Sequence, residues 1–292
     1  MKKISNFCDL QVHSLHSDGA FTPTELVGIL KKHNIKVAAL TDHDTVQGIG
    51  EFLTACRRAK IKGIVGTEIY VTYQGHHLHL LGYNFDYTNT ALNESFVEIH
   101  QRKYKILKKI APLLKKRGII VKPEALAGEK AQYISFNGVL RHLESFPQNI
   151  ARIRKDLGRP HYEHWEIYNR YFKKGLHTHY PEVYIPMEKA MWLIKNAGGQ
   201  AVLSHPGQQL HFEDDHIILQ LKKIGLDGIE CFSSHHSYSQ IVHYLRLAEQ
   251  YGLLATGGSD FHNILVNQNL PIDSILDYYS IPSQLYRNIK IF

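Results

Sequence analysis

The chain has 292 residues, 43% hydrophobic and 21% charged, with a net charge of +7 and three cysteines. That is the composition of a soluble globular protein with a sizeable core, and three unpatterned cysteines speak against a disulfide framework. No apolar run approaches the length of a membrane span, and the opening MKKISNFCDLQ has no apolar stretch of the secretory type, so the expected setting is soluble and cytoplasmic.

In chain order, β-type runs fall at residues 7–12, 37–41, 64–72, 77–83, 201–204, 228–232 and 253–256. Helix signals lie between several of them. Thr22-Pro23-Thr24-Glu25 offers an N-cap threonine, proline at the first helical position and the glutamate of a capping box, followed by Leu26, Ile29 and Leu30 at helical spacing. Residues 187–196 read as a helix stopped by Gly198-Gly199. Strands alternating with helices predict an α/β fold with a mainly parallel sheet or barrel.

The stretch from about residue 92 to 185 breaks this rhythm. Phe96, Ile99, Ile106, Ile110 and Leu113 are spaced for one apolar helical face, and strand signals are few. Between residues 97 and 185 there are 18 Lys and Arg against 8 Asp and Glu, whereas the rest of the chain has 16 against 19. The net positive charge therefore belongs to this segment, which suits an anionic partner such as a phosphate ester, a nucleotide or RNA; a solvated helical face is the plainer reading of such a charge run. The expected organisation is a barrel built from residues 1–91 and 186–292, interrupted by a basic helical insertion, 92–185, that covers the active-site face. Beyond Asn263 the sequence carries little interpretable pattern.

The strand ends carry the chemistry. The first run ends in His13 and Asp18, the second in Thr41-Asp42-His43-Asp44; the third contains Glu68 and the fourth His79. Ser204-His205-Pro206 ends the fifth, His235-His236 follow the sixth, and Ser259-Asp260-Phe261-His262 the seventh. In a βα barrel such groups converge on one face. Histidines and carboxylates suit divalent Zn, Mn or Fe, so these scattered pieces predict one metal site. His76-His77 and His177-Thr178-His179 read instead as surface features. Asp42 and Asp44 flank His43, placed either to orient its ring or to turn the chain and cap the next helix.

CDLQVHSLHSDG, ALTDHDTVQG, GTEIYV, HLHLLGY, AVLSHPG and GGSDFH, in that order, resemble the successive motifs of the polymerase-and-histidinol-phosphatase (PHP) family of metal-dependent phosphoesterases. The resemblance implies a distorted (βα)7 barrel with a trinuclear centre holding two or three divalent ions, Mn, Zn, Fe or Mg. It puts His13, Glu68 and Asp260 on a first metal, with Gln11 where a histidine is usual. Asp18, His43 and His262 fall on a second metal, and Glu68, His79 and His205 on a third. Glu68, His43 and Asp260 then stand out as the catalytic residues. Gly158-Arg159-Pro160-His161 resembles an Arg-Pro-His element of the family's nucleotide-phosphatase branch, which makes Arg159 and His161 expected substrate contacts; the resemblance also sets His236 at a histidine often found near the site, a third expected contact, with His235 as its neighbouring alternative.

The residue types point the same way. Close metals acidify a shared water and clamp phosphoryl oxygens, while no Walker loop or Gly-x-Ser-x-Gly is present for other chemistries. The expectation is a phosphatase acting on a small phosphorylated nucleotide, a mononucleotide or 3′,5′-bisphosphonucleotide. A 5′-to-3′ exoribonuclease taking short RNA is the alternative, and a non-catalytic barrel with a degraded site, suggested by Gln11, is the third. No membrane and no obligate protein partner is indicated. Residues 11 and 13 share a face of their strand, so Gln11 is expected to point where a ligand belongs, leaving the first metal weakly held or shifted toward Mn or Mg.

Overall fold

A computed structural model describes residues 7–127, 134, 136–162, 164–173, 183–264, 274–277 and 279–282. The chain divides into two compact units, Met1–Asn93 with Ile185–Phe292, and Glu94–Tyr184.

Among the described residues the first unit is built on nine strands: β1 Phe7–Val12, β2 Ile35–Leu40, β3 Lys62–Tyr73, β4 His76–Tyr83, β5 Ile185–Pro186, β6 Gln200–Leu203, β7 Gly228–Ser233, β8 Leu254–Gly258 and β9 Ile281–Pro282. They pair in the order β8-β7-β6-β4-β3-β2-β1-β9, with β5 added beside β3. The chain just after β8 returns to β1. Phe261 bridges Val12 in parallel, the Asp260 N–H donates to Gln11 O at 3.0 Å and the His13 N–H to Phe261 O at 2.9 Å. Seven strands, without β5 and β9, thus come round into a nearly closed barrel. β4 departs from the expected parallel pattern, running antiparallel to both β3 and β6. β3 and β4 form a tight hairpin, which forces that direction. β5 and β9, two residues each, carry no periodic signal, and β9 pairs antiparallel with β1.

Apolar side chains from across the sheet, Cys8, Leu10, Val37, Ala39, Ile64, Leu81, Tyr83, Val202 and Ile281, form one buried cluster. Helices follow the strands for local reasons. α1, Pro23–Lys32, starts at a complete capping box between Thr22 and Glu25. α2 is Ile49–Ala59, and α3, Thr90–Lys116, leads from the first unit into the second.

In the second unit, Phe96, Ile99, Ile106 and Ile110 of α3 are buried as spaced, but Leu113 is 42% exposed and Leu114 buried in its place. Residue 114 continues the i, i+4 ridge from 106 and 110, and 113 falls off it. α4 Pro123–Ala127, α5 Phe136–Glu144, α6 Pro147–Leu157 and α7 His164–Ile167 follow, then one π-helical turn, Tyr168–Phe172. Asn149, fully buried, ties the unit together: its amide donates to Ile120 O and Leu143 O and accepts from the Ile120 N–H. Back in the first unit come α8 Met187–Asn196, α9 Pro206–Gln209, α10 Asp215–Lys223 and α11 Tyr238–Tyr251.

Candidate metal centre

Each ligand-bearing loop is held by backbone groups before its imidazoles and carboxylates meet. After β1, the Ser14 N–H and hydroxyl donate to Asp42 at 2.7 and 2.6 Å, and the Ser17 hydroxyl donates to the same carboxylate. Asp42 therefore fixes the turn that carries His13 and Asp18. It does not orient the His43 ring. Asp44 does not cap a helix: it lies at φ +52°, donates its N–H to Glu68 O and accepts from the Tyr70 N–H. His205 (φ +21°) and Asp260 (φ +58°) also occupy left-handed backbone conformations that a side chain disfavours. Such strain is retained where the surroundings fix it, typically at functional sites. The His205 N–H is held by Glu230 Oε2 at 2.9 Å, and the Ser259 N–H next to Asp260 by Asp9 Oδ1 at 2.8 Å.

Glu68, on β3 and fully buried, is the centre of the constellation. Its Oε1 lies 3.0 Å from His79 Nδ1 and 3.1 Å from His205 Nε2. Its Oε2 lies 3.4 Å from both His13 Nε2 and His43 Nδ1. Asp260 Oδ1 is 3.0 Å from His13 Nε2, and Asp18 Oδ1 is 3.1 Å from His262 Nε2. The Tyr70 ring stacks on His43 at 4.5 Å and meets His79 edge-on at 4.6 Å, so one aromatic wall steers two imidazoles.

Among the described residues, three sets of side chains offer potential ligand atoms within 4.8 Å of one another: His13, Asp18, His43 and His262; Glu68, His79 and His205; and His13, Glu68 and Asp260. Buried polar atoms nearly always find hydrogen-bond partners. Here, among the described residues, Gln11 Oε1, His13 Nε2, His43 Nδ1, Glu68 Oε2, His205 Nδ1 and Asp260 Oδ1 make no well-aligned hydrogen bond, although His13 Nε2 and Asp260 Oδ1 stand as a close ion pair 3.0 Å apart. Lone pairs left buried and convergent fit divalent cations. The Nδ1–H of His262 donates to Asp260 O at 2.7 Å, leaving Nε2 as the atom that could ligate, the outer arrangement usual for metal-binding imidazoles.

Charges are sorted accordingly. Burial opposes ionisation of Asp18, but His262, His43 and His13 outweigh it and hold its carboxyl far below the ordinary range. Glu68 and Asp260 are likewise lowered against burial by facing imidazoles. His262 is raised well above its ordinary value, Asp18 and Asp260 overcoming burial. Burial dominates at His43, lowering it to about 4.

The remaining sequence candidates lie differently. His236 is buried with both ring nitrogens engaged: Nδ1–H donates to Cys231 O at 2.9 Å and Nε2 accepts from the Gly207 N–H at 3.0 Å. It ties β7 to α9, and its neighbour His235 reaches the cluster, Nε2 being 2.8 Å from Asp260 Oδ2. Adjacent loop residues point apart, which spacing alone does not reveal. Arg159 is ion-paired with Glu166, and His161 is exposed, both within the second unit. His177 and His179 lie outside the described residues. Sequence reasoning passed over Ser204, whose hydroxyl donates to Glu68 Oε1 at 2.8 Å, and the buried carboxyls of Asp9 and Glu230. A charged residue inside an otherwise apolar strand, as in GIECFS, was the available signal.

A family model described as PHP domain matches residues 9–191. The chain is 30% identical over 267 residues to a 3′,5′-nucleoside bisphosphate phosphatase of Chromobacterium violaceum, covering 87% of this chain and 86% of the relative. It is 31% identical over 264 residues to a 5′-3′ exoribonuclease of Haemophilus influenzae, covering 87% and 89%. A solved Bifidobacterium adolescentis protein, named for an expected metal-dependent phosphoesterase activity, superposes with a TM-score of 0.72. It is 22% identical, and the match covers 98% of this chain and 96% of that one, a likeness of fold.

Proposed function

The chain belongs to the PHP domain family, and we propose from that premise that it is a metal-dependent phosphoesterase hydrolysing phosphate monoesters of nucleotides, a mononucleotide or a 3′,5′-bisphosphonucleotide. The observation that carries this is the Glu68 carboxylate, whose two oxygens face separate imidazole sets among buried ligand atoms that make no well-aligned hydrogen bond. On this reading His13, Glu68 and Asp260 hold one cation, Asp18, His43 and His262 a second, and Glu68, His79 and His205 a third; Mn, Zn, Fe and Mg all suit parts of that donor set. When bound, the cations supply Lewis-acid polarisation of the phosphoryl oxygens and a water acidic enough to attack at neutral pH.

The protein's own part is positioning. Glu68 and Asp260 carry fixed negative charge, Tyr70 and the backbone bonds of Asp42, Asp9 and Glu230 hold the ligand loops, and His235 steadies Asp260. Arg159 and His161 are the proposed phosphate contacts, the guanidinium fork suiting two phosphoryl oxygens. Arg159→Ala should raise KM about tenfold, the cost of one charged hydrogen bond, with metal content unchanged. Among the described residues no helix is long and apolar enough to cross a membrane. Cys8, Cys56 and Cys231 are buried and outside any disulfide, which supports a reducing, cytoplasmic setting.

A second reading, 5′-to-3′ trimming of short RNA, is favoured by the likeness to the Haemophilus influenzae exoribonuclease. The test is phosphate release from mononucleotides and bisphosphonucleotides beside nucleotide release from short 5′-phosphorylated RNA. Activity on RNA alone would replace the first reading with the second. A degraded, non-catalytic barrel is disfavoured by the retained ligand atoms; metal analysis giving well under one ion per chain would restore it.

A further inference from the structure

Gln11 is fully buried at the bulged end of β1, and both of its backbone groups are fixed: its N–H donates to Asp9 Oδ1 and its carbonyl accepts from Asp260. Its side chain can still present either end of the amide to the cluster. Proton counting decides which.

Ser204 Oγ lies 2.8 Å from Glu68 Oε1 and 3.2 Å from Gln11 Nε2. A serine hydroxyl has one hydrogen, and an ionised carboxylate such as Glu68 only accepts. The Ser204 hydrogen therefore goes to Glu68, and Oγ is left to accept. Only the NH2 end of Gln11 can donate to it, so that end faces Ser204. Oε1 is turned elsewhere and is buried without a well-aligned hydrogen bond, as are His13 Nε2, Glu68 Oε2 and Asp260 Oδ1, the atoms of one ligand set.

We propose that Ser204 orients Gln11 so that its amide oxygen completes the His13–Glu68–Asp260 site, and that the resulting set of three oxygens and one nitrogen selects a hard divalent cation, Mn2+ or Mg2+, over Zn2+. This rests on the metal-dependent reading above. Oxygen donors suit Mg and Mn, whereas imidazole and thiolate favour Zn. Ser204 touches no cation and is a positioning residue. Without its oxygen the amide loses its only fixed direction, and half of its orientations would present N–H groups to a cation. Gln11 and Ser204 thus work as one unit in place of an imidazole.

The test is metal binding, read apart from turnover. Chelated protein is titrated calorimetrically with Mn2+ and with Zn2+, and bound Mn2+ is followed by electron paramagnetic resonance, for wild type, Gln11→His, Ser204→Ala and Ser204→Thr. Gln11→His should move the Mn-to-Zn preference at this site at least tenfold toward Zn. Ser204→Ala should weaken Mn2+ about tenfold, as removal of an outer partner does, and Ser204→Thr, which keeps the hydroxyl, should restore it. Wild-type preference in Gln11→His, or wild-type Mn2+ affinity in Ser204→Ala, overturns the proposal. If Ser204→Ala does not fold, Gln11→His decides alone. Metal selectivity as described without phosphate release from any nucleotide would instead sink the proposed function and leave this inference standing.

Discussion

His235 and Asp260 are joined through Nε2 and Oδ2 at 2.8 Å, on the carboxylate oxygen opposite the one that lies 3.0 Å from His13. One imidazole thus fixes the rotation of the Asp260 carboxylate, while the next residue, His236, spends both nitrogens on backbone groups of β7 and α9. The two histidines should fail differently. His235→Ala is expected to weaken metal binding at the His13–Glu68–Asp260 position about ten- to a hundredfold with little change in unfolding midpoint. His236→Ala should leave buried backbone groups unpaired and cost about 1–3 kcal/mol of stability. Denaturant unfolding beside metal titration separates them; a reversed pattern would exchange their roles.

The barrel was legible because its pattern is local: apolar runs that each carry or lead into a histidine or carboxylate, with a capping box at Thr22 and a stop at Gly198. What was hidden depends on neighbours. Periodicity is blind to strand direction, so the antiparallel setting of β4, and with it the mid-strand position of His79 opposite Tyr70, came only with the fold. Asp42 illustrates the same limit. It sits beside His43 in sequence but serves Ser14 and Ser17, more than twenty residues away. Asp9 and Glu230 look like isolated polar positions in apolar strands until their partners, Ser259 and the His205 N–H, are seen.

Asp9 makes stability depend on pH. Burial pushes its carboxyl up to about 7, against the hydrogen bonds from Ser259 and Gln11. In the unfolded chain it ionises near the ordinary aspartate value of about 4, so between about pH 4 and 7 the folded protein holds a proton that the unfolded chain has released. The folded state then binds more protons, and this contribution to stability, complete below about pH 4, is lost as pH rises through about 7. Its full size is about 4 kcal/mol. Asp9→Asn should become more stable relative to wild type across that window, measured by denaturant unfolding of chelated protein from pH 4 to 8. Parallel curves for the two proteins would show that Asp9 does not titrate there.

Metal binding should expel protons. Burial works against protonation of His262 and His13, yet the carboxylates of Asp18 and Asp260 raise both, so both carry protons at pH values where a free histidine begins to lose its own. Ligation requires neutral imidazole. Affinity is therefore expected to rise from pH 6 to 8, and titrations in buffers of different ionisation enthalpy should report net proton release at pH 7. No release would mean that these rings are already neutral. Saturation at a hundredfold the dissociation constant should add about 2.7 kcal/mol per site, seen as a higher unfolding midpoint that chelation reverses.

Gly258, the last residue of β8, is where the barrel seam is tightest. A Cβ there would stand 2.3 Å from Gln11 Cβ and 2.6 Å from Gln11 N, so an added methyl group meets backbone as well as side chain. Gly258→Ala should therefore push β1 and β8 apart, costing about 1–3 kcal/mol as overpacking does. It should also disturb the Gln11 amide, lowering metal affinity at the His13–Glu68–Asp260 position. Gly50, exposed within α2 and with nothing within 4 Å of its added Cβ, is the matched control. There Gly→Ala should stabilise by about 0.5–1 kcal/mol through helix propensity alone. Equal effects of the two substitutions on unfolding midpoint and metal content would contradict the close packing of Gly258 on Gln11.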